Sequence, residues 1–287
     1  MKMKSWITIL ICIVLLGCSG GSQSTVEVYD PYHGSMGAYA IFLQDSPPSV
    51  LRTGLSFRVG AFVKNMGAYN ILDGFVVLSF APSDVEINEP KRAFKLDGKS
   101  TYRAEGEQEV FWWDGRTKDV KAKLTSMRLI TTYRYQTNAK LDVCIDPDKY
   151  GEYIGRKECT TRSTIRMQDQ GAPIAVVEIV PEIVAKTRTS GEVEYKIYIQ
   201  NVGGGEVYSN LDTTYLNGLN QLSLSAFLST QQITCEHPII ALVDGYGETK
   251  CTASYSSNNA YTTTLHIVMD YVYKQTLDSG EIEIKKV

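Results

Sequence analysis

The sequence predicts an all-β chain arranged as two tandem β-sandwich domains after an N-terminal signal or anchor segment. Three observations carry this. Apolar residues recur with a period of two over most of the chain, the pattern of half-buried strands. Turn-forming clusters separate those segments, among them Asn70–Gly74, Asp97-Gly98, Asp114-Gly115 and Asp278-Ser279-Gly280. One pattern also occurs twice: Phe57–Gly67 aligns without gaps to Val193–Gly203, 136 positions further on.

The chain begins with Lys2 and Lys4, followed by a run dominated by apolar residues from Trp6 to Leu16. As a helix this run rises only about 16 Å, roughly half of a ~30 Å hydrocarbon core. It therefore reads as a secretory signal over 1–17. Leu15, Gly17 and Cys18 resemble the lipobox of prokaryotic lipoproteins. That resemblance implies cleavage before Cys18, lipidation of Cys18 and attachment to the extracytoplasmic face of the cell membrane; without the lipid, the chain would be secreted. Residues 18–28 are mostly small and polar and read as a flexible tether. No later span approaches the ~18 apolar residues of a membrane helix.

Strands are expected at Tyr39–Leu43, Leu55–Val63, Phe75–Phe80, Arg92–Leu96 and Glu109–Trp113. Further strands are expected at Lys140–Ile145, Ile174–Val180, Val193–Gln200 and Thr263–Tyr273, and Glu281–Ile284 reads as closing a final hairpin. Leu211–Leu228 is the best helical stretch, because Tyr215, Leu219 and Leu222 share helical spacing, but Gly218 and several serines reduce it to a short turn. Both copies of the repeat end in Asn-x-Gly, read as a turn signal because Asn and Gly tolerate positive φ. An alternating strand ending this way, in an exported all-β chain, resembles the CARDB-type and related immunoglobulin-like modules of prokaryotic surface proteins. The resemblance implies immunoglobulin-like sandwiches at 29–170 and 171–287, and an adhesive or spacing role. The first exceeds a minimal sandwich, so extra strands are expected between Pro82 and Tyr135. Polar Met167–Pro173 marks the joint.

Of six cysteines, Cys12 lies in the signal and Cys18 at its end. The remaining four allow three pairings. Cys144–Cys159 and Cys235–Cys251 are favoured because each pair brackets a similar turn-rich loop, and an oxidising compartment preserves such bonds. Neither pair has the short spacing of a structural zinc site.

Removing Lys2 and Lys4 leaves 27 basic against 32 acidic residues, a mildly acidic surface unsuited to nucleic acid. Catalytic motifs are missing from the sequence, and no cofactor is implied. His266 reads as an ordinary strand residue. Asp146, Asp148 and Glu152 form a weak calcium candidate whose spacing departs from an EF-hand loop. The remaining candidate is Trp112-Trp113 with Arg116: on a strand one tryptophan faces the core and the other solvent. The sequence thus points to a non-catalytic, membrane-anchored structural, adhesion or assembly lipoprotein whose partner is a cell-envelope protein or glycan. The alternative is a carbohydrate-binding or glycan-processing accessory protein using an exposed tryptophan.

Overall fold

Alternation becomes burial strand by strand. In the computed structural model, which describes residues 29–148, 151, 157–211 and 218–287, Val193, Tyr195, Ile197 and Ile199 all point into the core while Lys196 faces out. The strands are β1 Ala38–Phe42, β2 Val50–Arg52, β3 Ser56–Asn65, β4 Ile71–Ser79, β5 Val85–Ile87, β6 Lys91–Leu96 and β7 Gln108–Thr117. They continue with β8 Lys123–Thr125, β9 Arg128–Ile145, β10 Ile165–Arg166, β11 Ile174–Ala185, β12 Ser190–Asn201 and β13 Glu206–Tyr208. The last six are β14 Gln221–Leu228, β15 Gln231–Cys235, β16 Ile239–Ala241, β17 Tyr246–Ser256, β18 Tyr261–Asp278 and β19 Ile282–Lys285. Among the described residues there is no helix, and so none long and apolar enough to cross a membrane. Leu222, placed above in a helical stretch, lies in β14 instead; Leu222, Leu224 and Ala226 alternate inward, so period two overrides the accidental helical spacing. Tyr215 lies outside the described residues, as do residues 1–28 with Cys18, and Glu152.

The same pairing order appears twice. An N-terminal set joins β1-β3-β7-β5 in one layer and β6-β4-β9 in the other. A C-terminal set joins β11-β12-β17-β15 and β16-β14-β18 in the same order, but here β15 also pairs β14, so the two rows are continuous. Layers pack face to face: Phe94 on β6 meets Phe111 on β7 with ring centroids 6.4 Å apart, and Trp113 Nε1 donates to the Pro90 carbonyl at 3.1 Å. The expected extra strands between Pro82 and Tyr135 include β5, β6 and β7, which have counterparts in β15, β16 and β17; only β8 has none.

The two sets are joined through β9 and β18, which pair antiparallel from Arg128↔Asp278 to Ile145↔Tyr261. Tyr133 faces Tyr273 and Tyr135 faces Tyr271, and the four buried rings pack mostly edge-on, with centroids 5.5 to 6.3 Å apart. This cluster is the meeting point of the two repeats. Tyr135 Oη donates to Asn65 Oδ1 at 3.3 Å and accepts from Tyr69 N at 3.2 Å. Tyr273 Oη donates to Asn201 Oδ1 at 2.9 Å and accepts from Gly205 N at 2.6 Å. Each asparagine also donates Nδ2 to the carbonyl four residues later, at 2.7 Å in both copies.

Here the turn reading of Asn-x-Gly is corrected. Neither Gly67 nor Gly203 has positive φ. The glycines are required by close approach, since a Cβ on Gly67 would collide with Tyr135 Oη and one on Gly203 would lie 2.6 Å from Tyr273 Oη. The asparagine caps the strand end, accepting the Gly67 or Gly203 N–H.

A second correction concerns the C-terminus. β19 does not close a hairpin with β18. It inserts between β2 (parallel) and β8 (antiparallel), burying Ile282 and Ile284 in the N-terminal set. Its own period-two alternation suits any sheet edge with an open apolar side, and β2 and β8 supply one. The expected joint is pinned rather than free: Gln170 is buried and bonds Val176 through both its amide nitrogen (2.8 Å) and its oxygen (2.9 Å).

Both disulfides, Cys144–Cys159 and Cys235–Cys251, are formed. The second links residues that face each other across β15 and β17. Each closes a loop whose cross-linking contributes about 3 kcal/mol in the chain-entropy picture.

Candidate functional site

Trp112 and Trp113 sit on β7 and face opposite ways, as strand geometry requires. Trp113 is 1 % exposed and belongs to the core; Trp112 is 51 % exposed on the outer face of β1-β3-β7-β5. Cross-strand pairing defines what surrounds it. Ile41 faces Phe62, Phe62 faces Val110, and Gly60 faces Trp112. The six-membered ring of Trp112 rests on Gly60, where a Cβ would lie 2.5 Å from Cζ3, with Leu43 alongside. The result is an apolar stripe across three strands.

One register step further the surface turns polar. Arg58 forms a two-pronged contact with Asp114, Nε to Oδ1 at 2.7 Å and an Nη to Oδ2 at 3.3 Å. The pair raises the arginine pKa and lowers the carboxylate pKa through that hydrogen bond and its charge. The Arg58 guanidinium also stands 5.9 Å from the Trp112 ring centroid. Arg116 donates Nε to the Gly54 carbonyl at 3.1 Å and faces Glu86 across the strand pair. Arg58, Asp114, Arg116 and Glu86, with Ser56, Phe57, Asn88 and Gly115, line an open groove of about 730 Å³ that adjoins Trp112 without including it. Trp112 and Arg116 therefore share one face, and Trp113 does not.

Sequence reasoning missed Gly60, Phe62 and Arg58. A signal was present: Gly60 and Phe62 interrupt the polar positions of β3, where a solvent-facing series carries polar side chains. The corresponding face of the C-terminal set is different in kind. There Lys196 pairs with Glu248 at 3.2 Å, and Lys250 with Glu236 at 2.9 Å and Glu194 at 3.4 Å. By the repeat alignment, Lys196 stands where Gly60 does, and its partner Lys250 where Trp112 does.

The calcium candidate is occupied by a side chain. Lys157 Nζ lies 2.6 Å from Asp146 and 3.0 Å from Asp148, so an ammonium already bridges both carboxylates. Among the described residues no group of three or more His, Cys, Asp or Glu converges as a metal site. His266 Nε2 meets Asn138 Oδ1 at 2.9 Å, and its pKa is lowered by burial and by Lys140. His33 is an exposed neighbour of Asp30.

No protein-family model matches the chain, and no curated protein matches it. Among solved structures it has a likeness to the secreted serine protease VesC from Vibrio cholerae, at 10% identity, over 88% of this chain and 52% of that one, with a TM-score of 0.22. The chain spans about half the length of that structure. A likeness at this TM-score carries no argument about fold or chemistry.

Proposed function

We propose that the chain is a non-catalytic lipoprotein, anchored at Cys18 to the extracytoplasmic face of the cell membrane, that acts in adhesion or assembly. In this reading the two strand sets are immunoglobulin-like sandwiches, fused by the β9–β18 pair into one rigid body. The observation that carries the reading is the apolar stripe around Trp112, present on the N-terminal set and replaced by ion pairs on the C-terminal set. Contiguous exposed apolar surface marks contact sites, and aromatic residues flanked by arginine dominate them energetically. Among the described residues no other outward sheet position holds a tryptophan. The signal sequence and the two disulfides support an oxidising compartment.

Two measurements test it. Intact mass spectrometry of the mature protein is expected to show a lipid-modified N-terminal cysteine; an unmodified N-terminus overturns the anchor. Capture of cell-envelope material by the wild-type chain, lost in Trp112→Ala, supports the contact face, and equal capture by both overturns it.

A further inference from the structure

We propose that the face formed by Trp112 and the adjoining groove binds a neutral polysaccharide, with a sugar ring stacked on Trp112 and its hydroxyls held by Arg58, Asp114, Arg116 and Glu86 in the groove. This rests on the reading of that face as the contact surface and names its ligand class.

The argument starts from shape. The ring of Trp112 is seated on the backbone at Gly60, so its position is fixed from beneath, and half of the residue remains open to solvent. A fixed, half-open indole offers a platform with an apolar face, which suits the C–H side of a pyranose. Gly60 makes this possible, since any side chain there would lift the ring off the sheet.

Charge then selects among ligands. Beside the platform stand two cations, Arg58 and Arg116, and two carboxylates, Asp114 and Glu86. Arg58 and Asp114 are bonded to each other, and Arg116 and Glu86 face each other across β5 and β7. The groove is therefore balanced: an anionic ligand would meet two carboxylates and a cationic one two arginines. A sugar hydroxyl both donates and accepts, so it matches a surface dense in donors and acceptors without net charge. The groove is open at the surface, which admits an internal segment of a polymer rather than only a chain end. Where the repeat places Lys196 and Lys250, the second set has neither platform nor groove chemistry.

The test is affinity electrophoresis of the full chain in native gels containing laminarin, xylan, mannan or dextran, with alginate as the acidic comparison. Retardation by at least one neutral polymer is expected. Trp112→Ala should weaken it at least about tenfold, the loss expected for an aromatic anchor, while Trp112→Phe retains part of it. Gly60→Ala keeps the indole but displaces it, and should weaken binding without lowering the thermal midpoint. Tyr246→Ala, on the C-terminal set, should leave binding unchanged. No retardation by any neutral polymer, retardation by alginate alone, or binding indifferent to both Trp112→Ala and Gly60→Ala overturns the proposal. Trp112-dependent capture of an envelope protein without polysaccharide binding also overturns it, yet leaves the contact face standing. An unlipidated chain that still binds neutral polymer removes the anchor and leaves the groove.

Discussion

Replacing Asn65 with alanine should be among the costliest single changes in the molecule, and costlier than the equivalent change at Asn201. Asn65 is wholly buried and makes four hydrogen bonds. Its Nδ2 serves the Tyr69 carbonyl at 2.7 Å and the Leu96 carbonyl at 3.1 Å; its Oδ1 accepts from Gly67 N at 3.1 Å and from Tyr135 Oη at 3.3 Å. Truncation orphans two carbonyls and one amide in the interior, each costing about 1–3 kcal/mol when buried. With partial relaxation the sum is roughly 3–5 kcal/mol. Asn201 serves one carbonyl only, that of Gly205, and is half-buried, so water replaces part of what is lost. Its truncation should cost about 1–2 kcal/mol. Urea unfolding at pH 7 with the disulfides intact measures both. Tryptophan fluorescence reports on β7 and the N-terminal set, while far-UV circular dichroism reports on all strands. The two probes should move together, because β9 and β18 bind the sets into one cooperative unit. The reasoning fails if Asn201→Ala costs as much as Asn65→Ala, or if Asn65→Ala costs less than about 1 kcal/mol.

Other outcomes follow from burial and charge. Trp113→Ala should destabilise by about 3–5 kcal/mol and Trp112→Ala by less than about 1 kcal/mol, read as unfolding midpoints; a reversed order would show the strand to be flipped. Burial raises the pKa of Tyr69 and Tyr273 to about 12, and also pushes those of Tyr133, Tyr135 and Tyr271 well up. An unfolded tyrosine ionises near ~10, so the folded state holds more protons above that pH. The stabilisation these groups give is full below about pH 10 and is lost as pH rises through about 12. Absorbance at 295 nm should therefore rise first for exposed tyrosines, then in a cooperative step coincident with loss of dichroism; a single phase near pH 10 with the fold intact refutes this. Deleting residues 281–287 should lower the thermal midpoint and expose apolar surface to a dye at β2 and β8, whereas no change in either would deny β19 its place in the sheet.

How much of this was legible in the sequence depends on distance along the chain. Period-two alternation located β3, β4, β7, β11, β12, β18 and the end of β9, because a half-buried strand must alternate whatever it pairs with, but β17 was not anticipated and β14 was read as a helical stretch. The opposite orientations of Trp112 and Trp113 were readable for the same reason. Pairing was less accessible. Nothing local to Glu281–Ile284 says that it lies beside Val50–Arg52 rather than beside β18, since its alternation is the same in either pairing. The repeat was visible, but the purpose of Asn-x-Gly was not, because the tyrosines that demand Gly67 and Gly203 are about 70 residues away in sequence. The platform at Trp112 was half visible: the tryptophan announced itself, while Gly60 and Arg58 joined it only through the β3–β7 register.

The position of β19 also bears on the order of events as the chain emerges. β2 and β8 are available early, yet the slot between them stays open until Ile282–Lys285 arrives; Val287 N bonds Thr53 Oγ1 across a separation of 234 residues. The N-terminal set thus cannot finish folding before Ile282–Lys285 has been made. Contacts this remote in sequence form slowly. Until then the strand edges of β2 and β8 stand unpaired, and an unpaired edge is a site where a wrong strand can add. Residues 282–287 act as the latch of the N-terminal set, so a chain cut short of them would keep the sheet at β2 and β8 open.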